Sequence, residues 1–187
     1  MTIVKGLKNI NALVDKPKYD ENSPKVRWLK LADGQSAKIR FIEELDEDSA
    51  NYNPERGLAL VVKEHTNPKD YKRKAVDTME SEGRDWAEEM HRKDPKAGWR
   101  ARLRFYCNVL VDDGIEEPYV AIWSMGVSKQ SAFNTIREYA LETGSISNIS
   151  WKLKRNGQGT ETSYTLIPSA YLGFDTPSVT SSTNTDW

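Results

Sequence analysis

Residues 99–111 read WRARLRFYCNVLV, and their alternation decides the fold. Ala101, Leu103, Phe105, Cys107, Val109 and Val111 share one parity; Arg100, Arg102, Arg104, Tyr106 and Asn108 share the other. A period of two over this length predicts a β-strand with one buried face. The opposite face carries three arginines at i, i+2 and i+4, followed by a tyrosine. Like charges so placed repel by roughly a few tenths of a kcal/mol per exposed pair. Either acids on a neighbouring strand or an external anion must offset that repulsion, and this strand taken alone fits both.

Flanking segments repeat the pattern. Arg27 to Ile42 (RWLKLADGQSAKIRFI) is predicted to be a hairpin about the Asp33-Gly34 turn. Leu29, Leu31, Ala37, Ile39 and Phe41 form its inner set, and Trp28, Lys30, Lys38 and Arg40 its outer set. Gly57 to Val62 reads as a short buried strand, and residues 63–98 as a polar insertion. Helical spacing between Arg73 and Arg92 is broken by Gly83, which makes two short helices as good a reading as one. Tyr119 to Met125 is a strand with Tyr119, Ala121, Trp123 and Met125 on one face. Val127 to Gly144 is the clearest helix, capped by Ser128 and ended by Gly144. Ile149 to Arg155 is a strand presenting Lys152 and Lys154 opposite Ile149, Trp151 and Leu153. After an Asn156-Gly157 turn, residues 162–167 return. Strands, one helix, then two more strands predict a mainly β chain: an antiparallel OB-fold barrel with a helix before the last strand pair.

The charges are blocked. The chain of 187 residues has a net charge of only −1, yet residues 1–42 hold nine Lys/Arg against four Asp/Glu. Beyond Arg155 there is no Lys or Arg, while Glu161, Asp175 and Asp186 remain. Three segments follow: a basic arm at 1–24 with an apolar helical stripe, the barrel at 25–168, and an acidic, Ser/Thr-rich tail at 169–187. Cys107 is the only cysteine, so no intrachain disulfide can form. No secretion signal is evident, and no apolar run approaches the ~20 residues that span a bilayer. A cytoplasmic protein without membrane partners is expected.

Cations beside aromatics on several strand faces suit a single-stranded nucleic acid: charge meets phosphate and a ring meets a base. The candidate contacts are Trp28, Lys30, Lys38, Arg40, Arg100, Arg102, Arg104, Tyr106, Lys152 and Lys154, with Trp123 as a further stacking candidate. The succession WLKLADGQSAKIRFI, RLRFYCNVLVDDG, a helix, then ISWKLKRNGQGTETSYTLIP resembles the single-stranded DNA-binding proteins of tailed bacteriophages, the gene-32-like helix-destabilising class. The resemblance spans roughly residues 25–168. It implies cooperative coating of single strands during replication, recombination and repair. It also implies protomer contacts through the N-terminal arm and recruitment of replication or recombination proteins through the C-terminal tail. Relatives carry a Cys/His zinc module in the insertion. Here residues 63–98 hold His65 and His91 but no cysteine, so no metal and no other cofactor is expected.

Two other classes compete. Glu43, Glu44, Asp46 and Asp48, or Asp112 and Asp113, could hold Mg²⁺ for nuclease chemistry, but acids beside turns are usually solvated, and no phosphate-cradling loop or nucleophile motif accompanies them. A protein- or carbohydrate-binding barrel of a virion would show surface aromatics without needing cations on several strands. No catalytic residue is expected.

Overall fold

A computed structural model describes residues 26–169. The proposed basic arm and nearly all of the acidic tail lie outside the described residues. The chain forms β1 (Ser36–Phe41), β2 (Leu60–Asn67), β3 (Asp70–Val76), α1 (Met79–Glu82), α2 (Trp86–Lys93), β4 (Arg102–Asp112), β5 (Tyr119–Gly126), α3 (Ala132–Thr143), β6 (Ser150–Asn156) and β7 (Ser163–Ser169). All seven strands belong to one sheet, paired antiparallel.

β4 organises that sheet, as its alternation requires. From Arg104 to Asp112 every second residue is buried, with Phe105, Cys107, Val109 and Val111 inside. One edge of β4 pairs throughout with β5. The other edge is shared: β2 takes Arg102–Tyr106, β1 takes Val109–Asp112, and between them the Ile42 amide donates to the Asn108 carbonyl at 3.1 Å. β1 then pairs with β6, and β6 with β7. The path β5-β4-β1-β6-β7, with α3 between β5 and β6 along the chain, is OB-barrel connectivity. The β2–β3 hairpin, α1 and α2 are inserted between β1 and β4.

The core is the inner face of those five strands, covered by α3. Ile39, Trp151 and Leu153 are fully buried, and Phe41 and Trp123 nearly so. Trp151 also donates its ring N–H to the Ile146 carbonyl at 3.1 Å. α3 adds Ala132 and Ile136, sets Phe133 against Phe105, and sets Tyr139 against Trp151. Gly144 ends α3 with φ +75°, a conformation that would strain any residue with a Cβ.

Several expectations need correction. Residues 27–31 do not pair with β1. Trp28 instead bridges Ile122 in parallel fashion on the outer edge of β5, with Leu29 N donating to Ile122 O at 2.9 Å. Both edges of β1 are already occupied by β4 and β6, so the incoming chain finds its hydrogen bonds elsewhere. α3 starts at Ala132, four residues after the predicted Ser128 cap. Ser131 and Ser128 close a local turn there: the Ser131 hydroxyl donates to Ser128 O and accepts from Ser128 N. The apolar run near Gly57 does become strand β2, but Leu60 and Val61 are half exposed, because β2 leaves the barrel. Leu103 is 47% exposed for the same reason, although its parity is that of Phe105. β3 was not expected; all but its first residue are exposed, so it carries no alternation to read.

Candidate nucleic-acid interface

The outer face of β4 brings part of the predicted set together. Tyr106 projects from it, and Trp28 is brought alongside by its pairing with β5. The two rings meet edge to face, with centroids 6.3 Å apart and planes at 74°. Trp28 remains 49% exposed. Beneath the pair is a hollow of about 260 Å³, with Leu58, Leu60, Asn108 and Ile122 among its lining residues. Aromatic walls over a floor of Leu58, Leu60 and Ile122, with Glu43 and Asn108 among them, accept a flat ring of any identity.

Along the same face run Arg104, Arg102 and, just before the strand, Arg100. Arg104 donates to the Ser124 hydroxyl on β5 at 3.1 and 3.3 Å and lies 4.0 Å from the Glu64 carboxylate on β2. Arg100 and Arg102 are exposed, and no acidic partner is seen for either among the described residues. They line a larger cleft, about 640 Å³, at the seam where β5 and β7 face each other without pairing. Its lining also includes Thr162, at the end of the β6–β7 connection, and Ser163 and Tyr164, the first residues of β7. An aromatic hollow, an arginine strip and a cleft of mixed polar and apolar lining therefore follow one another along β4. In OB barrels this strand face and the adjoining loops carry oligonucleotides.

Glu64 and Lys74 belong to this face but were not anticipated. The Tyr106 hydroxyl donates to Glu64 at 2.5 Å, and Lys74 donates to the same carboxylate at 2.6 Å. Partial burial, then the bond to Glu64, pushes the Tyr106 hydroxyl up to about 12. The ring is thus held neutral and oriented. Both unanticipated residues lie on the β2–β3 hairpin, where the sequence is polar on both faces and assigns neither side.

The remaining candidates fall elsewhere. Lys30 is exposed two residues beyond Trp28, on the same side of its segment. Lys38, Arg40, Lys152 and Lys154 lie on the outer face of β1 and β6. The register sets Lys38 between Asp112 and Lys152, and Lys154 beside Ser36. Lys38 approaches Asp112 to 3.9 Å, and Arg40 donates to the Ser147 carbonyl at 3.0 Å. Along β4, Arg40 lies level with Leu110, four residues or about 13 Å from Tyr106, and Lys38 level with Asp112, six residues or about 20 Å away. The single groove expected from sequence is two cationic regions. Trp123 is corrected outright: it is 1% exposed, between Phe41, Phe105 and Tyr164, and cannot reach a base.

Three of the acids considered for metal-dependent cleavage, Glu43, Glu44 and Asp113, are engaged structurally. Glu44 is buried and accepts from the Ser145 hydroxyl, the Ile146 amide, and both the amide and hydroxyl of Ser147. Glu43 accepts from the backbone and side-chain nitrogens of Asn108. Asp113 caps its own turn, accepting from the Ile115 amide at 3.0 Å, which helps hold its carboxyl below the usual range. Cys107 is buried, and burial pushes its thiol well up, away from reactive thiolate.

No family model, no curated protein and no solved structure matches this chain. Among the described residues no helix is long and apolar enough to cross a membrane.

Proposed function

We propose that the chain binds single-stranded DNA with little sequence preference, as a non-enzymatic coat that protects the strand and destabilises duplex during phage replication, recombination and repair in the host cytoplasm. The observation that carries this reading is the pair of exposed Trp28 and half-buried Tyr106, continuous with Arg104, Arg102 and Arg100 on the outer face of an OB-type strand. Phosphates meet the arginines and release counterions. Bases leave their stack to lie on the rings, each stacked base contributing roughly 1–3 kcal/mol. Duplex hides its base faces, so the rings favour single strands. The hydrogen-bonded state of Glu43 and Glu44 supports a binding role over cleavage. Partner recruitment through the tail and protomer contacts through the arm belong to the same proposal and rest on the sequence alone.

The test is a tryptophan-fluorescence titration with a homopolymeric oligonucleotide, single-stranded against duplex, at two salt concentrations. The expected result is quenching by single strands, weakened steeply by salt, with far weaker binding to duplex. Equal affinity for both forms, or indifference to salt, overturns the reading.

A further inference from the structure

The floor of the aromatic hollow holds a polar group that stacking does not use. Asn108 lies on the outer face of β4, two residues beyond Tyr106. Across the sheet it sits opposite Ile122 of β5, the residue that Trp28 bridges. Asn108 is therefore in line with both rings, and it lines the hollow together with them.

Its place in the sheet fixes its amide. β2 pairs with β4 as far as Tyr106 and β1 pairs from Val109, so the Asn108 N–H faces the gap between two strands. Glu43, two residues past β1, fills that gap. Its carboxylate accepts from the Asn108 backbone N at 2.8 Å and also from Asn108 Nδ2. A carboxylate only accepts, so the second bond settles which end of the amide is nitrogen. One Nδ2 hydrogen and Oδ1 are left over. Among the described residues nothing donates to Oδ1, yet the atom is not shut off from solvent: the buried side-chain atoms without a partner are His91 Nδ1, Trp123 Nε1 and Arg155 Nε. A donor and an acceptor thus remain side by side in a hollow walled by rings.

We propose that the Asn108 amide takes the Watson–Crick edge of the base that enters the hollow. This rests on the single-strand reading above and names what that site recognises besides a ring face. Every base carries a donor beside an acceptor on that edge: adenine and cytosine an amino group beside a ring nitrogen, guanine and thymine a ring N–H beside a carbonyl. A primary amide offers the complement of each, two hydrogen bonds at a time, so the contact selects little among bases. It selects strongly between strands, because in duplex the same edge is taken by the complementary base. Stacking requires a free base face and Asn108 requires a free pairing edge, so an unpaired base is demanded on two independent grounds.

The experiment titrates the full chain, by fluorescence, with a short thymidine oligonucleotide and with the same oligonucleotide methylated at the ring N–H of every thymine. The methyl group removes the donor and leaves the stacking face and the phosphates. The expected result is binding of the methylated strand about tenfold weaker, with the salt dependence unchanged. Asn108→Leu keeps the side-chain volume and removes both hydrogen bonds. It should retain the fold by circular dichroism and bind the two strands alike, at the level the unaltered chain shows for the methylated one. Asn108→Ala should give the same equality, and it decides the matter if the leucine variant does not fold. Equal affinity of the unaltered chain for both strands, or discrimination that persists in either variant, overturns the proposal and leaves single-strand binding standing. Failure of the unaltered chain to bind either strand overturns both.

Discussion

Tyr106 shows how one residue serves fold and site together. Its ring stands at the edge of the aromatic hollow while its hydroxyl is tied to Glu64. Replacing it by alanine should cost roughly 1–3 kcal/mol of single-strand affinity with little change in salt dependence, since stacking is removed and charge is kept. Arg102→Ala with Arg104→Ala should do the reverse, lowering the salt slope by about 0.7 for each single-strand phosphate that is no longer neutralised. Titration of the two variants against salt separates the roles. The tyrosine also predicts its own pH behaviour. Its folded value, about 12, lies above the ordinary value of 10.0, so the stabilisation from its buried neutral hydroxyl is complete below pH 10 and is lost as pH rises through the folded value. Tyrosinate absorbance should report one hydroxyl ionising near pH 12, and Glu64→Gln should bring that ionisation down part of the way. Tyr106 was legible in the sequence because β4 alternates. Its partners Glu64 and Lys74 were not, because a polar hairpin has no buried face to set their parity.

At the scale of the element, β4 tests where alternation stops carrying information. Phe105 and Leu103 share a parity, but Phe105 is fully buried and Leu103 is 47% exposed. Phe105→Ala should lower stability by about 3–5 kcal/mol in chemical denaturation, whereas Leu103→Ala should change it by about 0.5 kcal/mol or less. Equal losses would place Leu103 in the core and move the barrel rim. The strand pattern gave the inner sets of β1 and β6, and that of β4 from Phe105 onward, correctly, including Trp151 and Cys107, because burial on one face imposes period two. It gave the wrong partner for residues 27–31. An Asp-Gly turn signals that the chain reverses, yet it cannot show that β1 has both edges filled by strands distant in sequence. The same limit misplaced Trp123. A tryptophan among cations and a tryptophan in the core occupy the same alternating positions, and only the closure of the barrel tells them apart.

Across the described molecule, the candidate cations other than Lys30 divide between the β4 face and the β1–β6 ridge. Composition could not reveal this division, since both sets alternate with apolar residues in the same way. If the β4 face holds the strand, Lys152→Ala with Lys154→Ala should weaken binding to short oligonucleotides less than Arg102→Ala with Arg104→Ala under the same salt, as measured by fluorescence titration. The ridge has no exposed aromatic beside its lysines among the described residues, so it supplies charge without stacking. The most direct measurement is ultraviolet cross-linking of the protein to a short thymidine oligonucleotide, with the adducts located by mass spectrometry of the peptides. Adducts on the peptides containing Trp28 and Tyr106, suppressed by high salt and absent with duplex, are the expected result. Adducts confined to β6, or formed equally with duplex, would contradict a single-strand site on the outer face of β4.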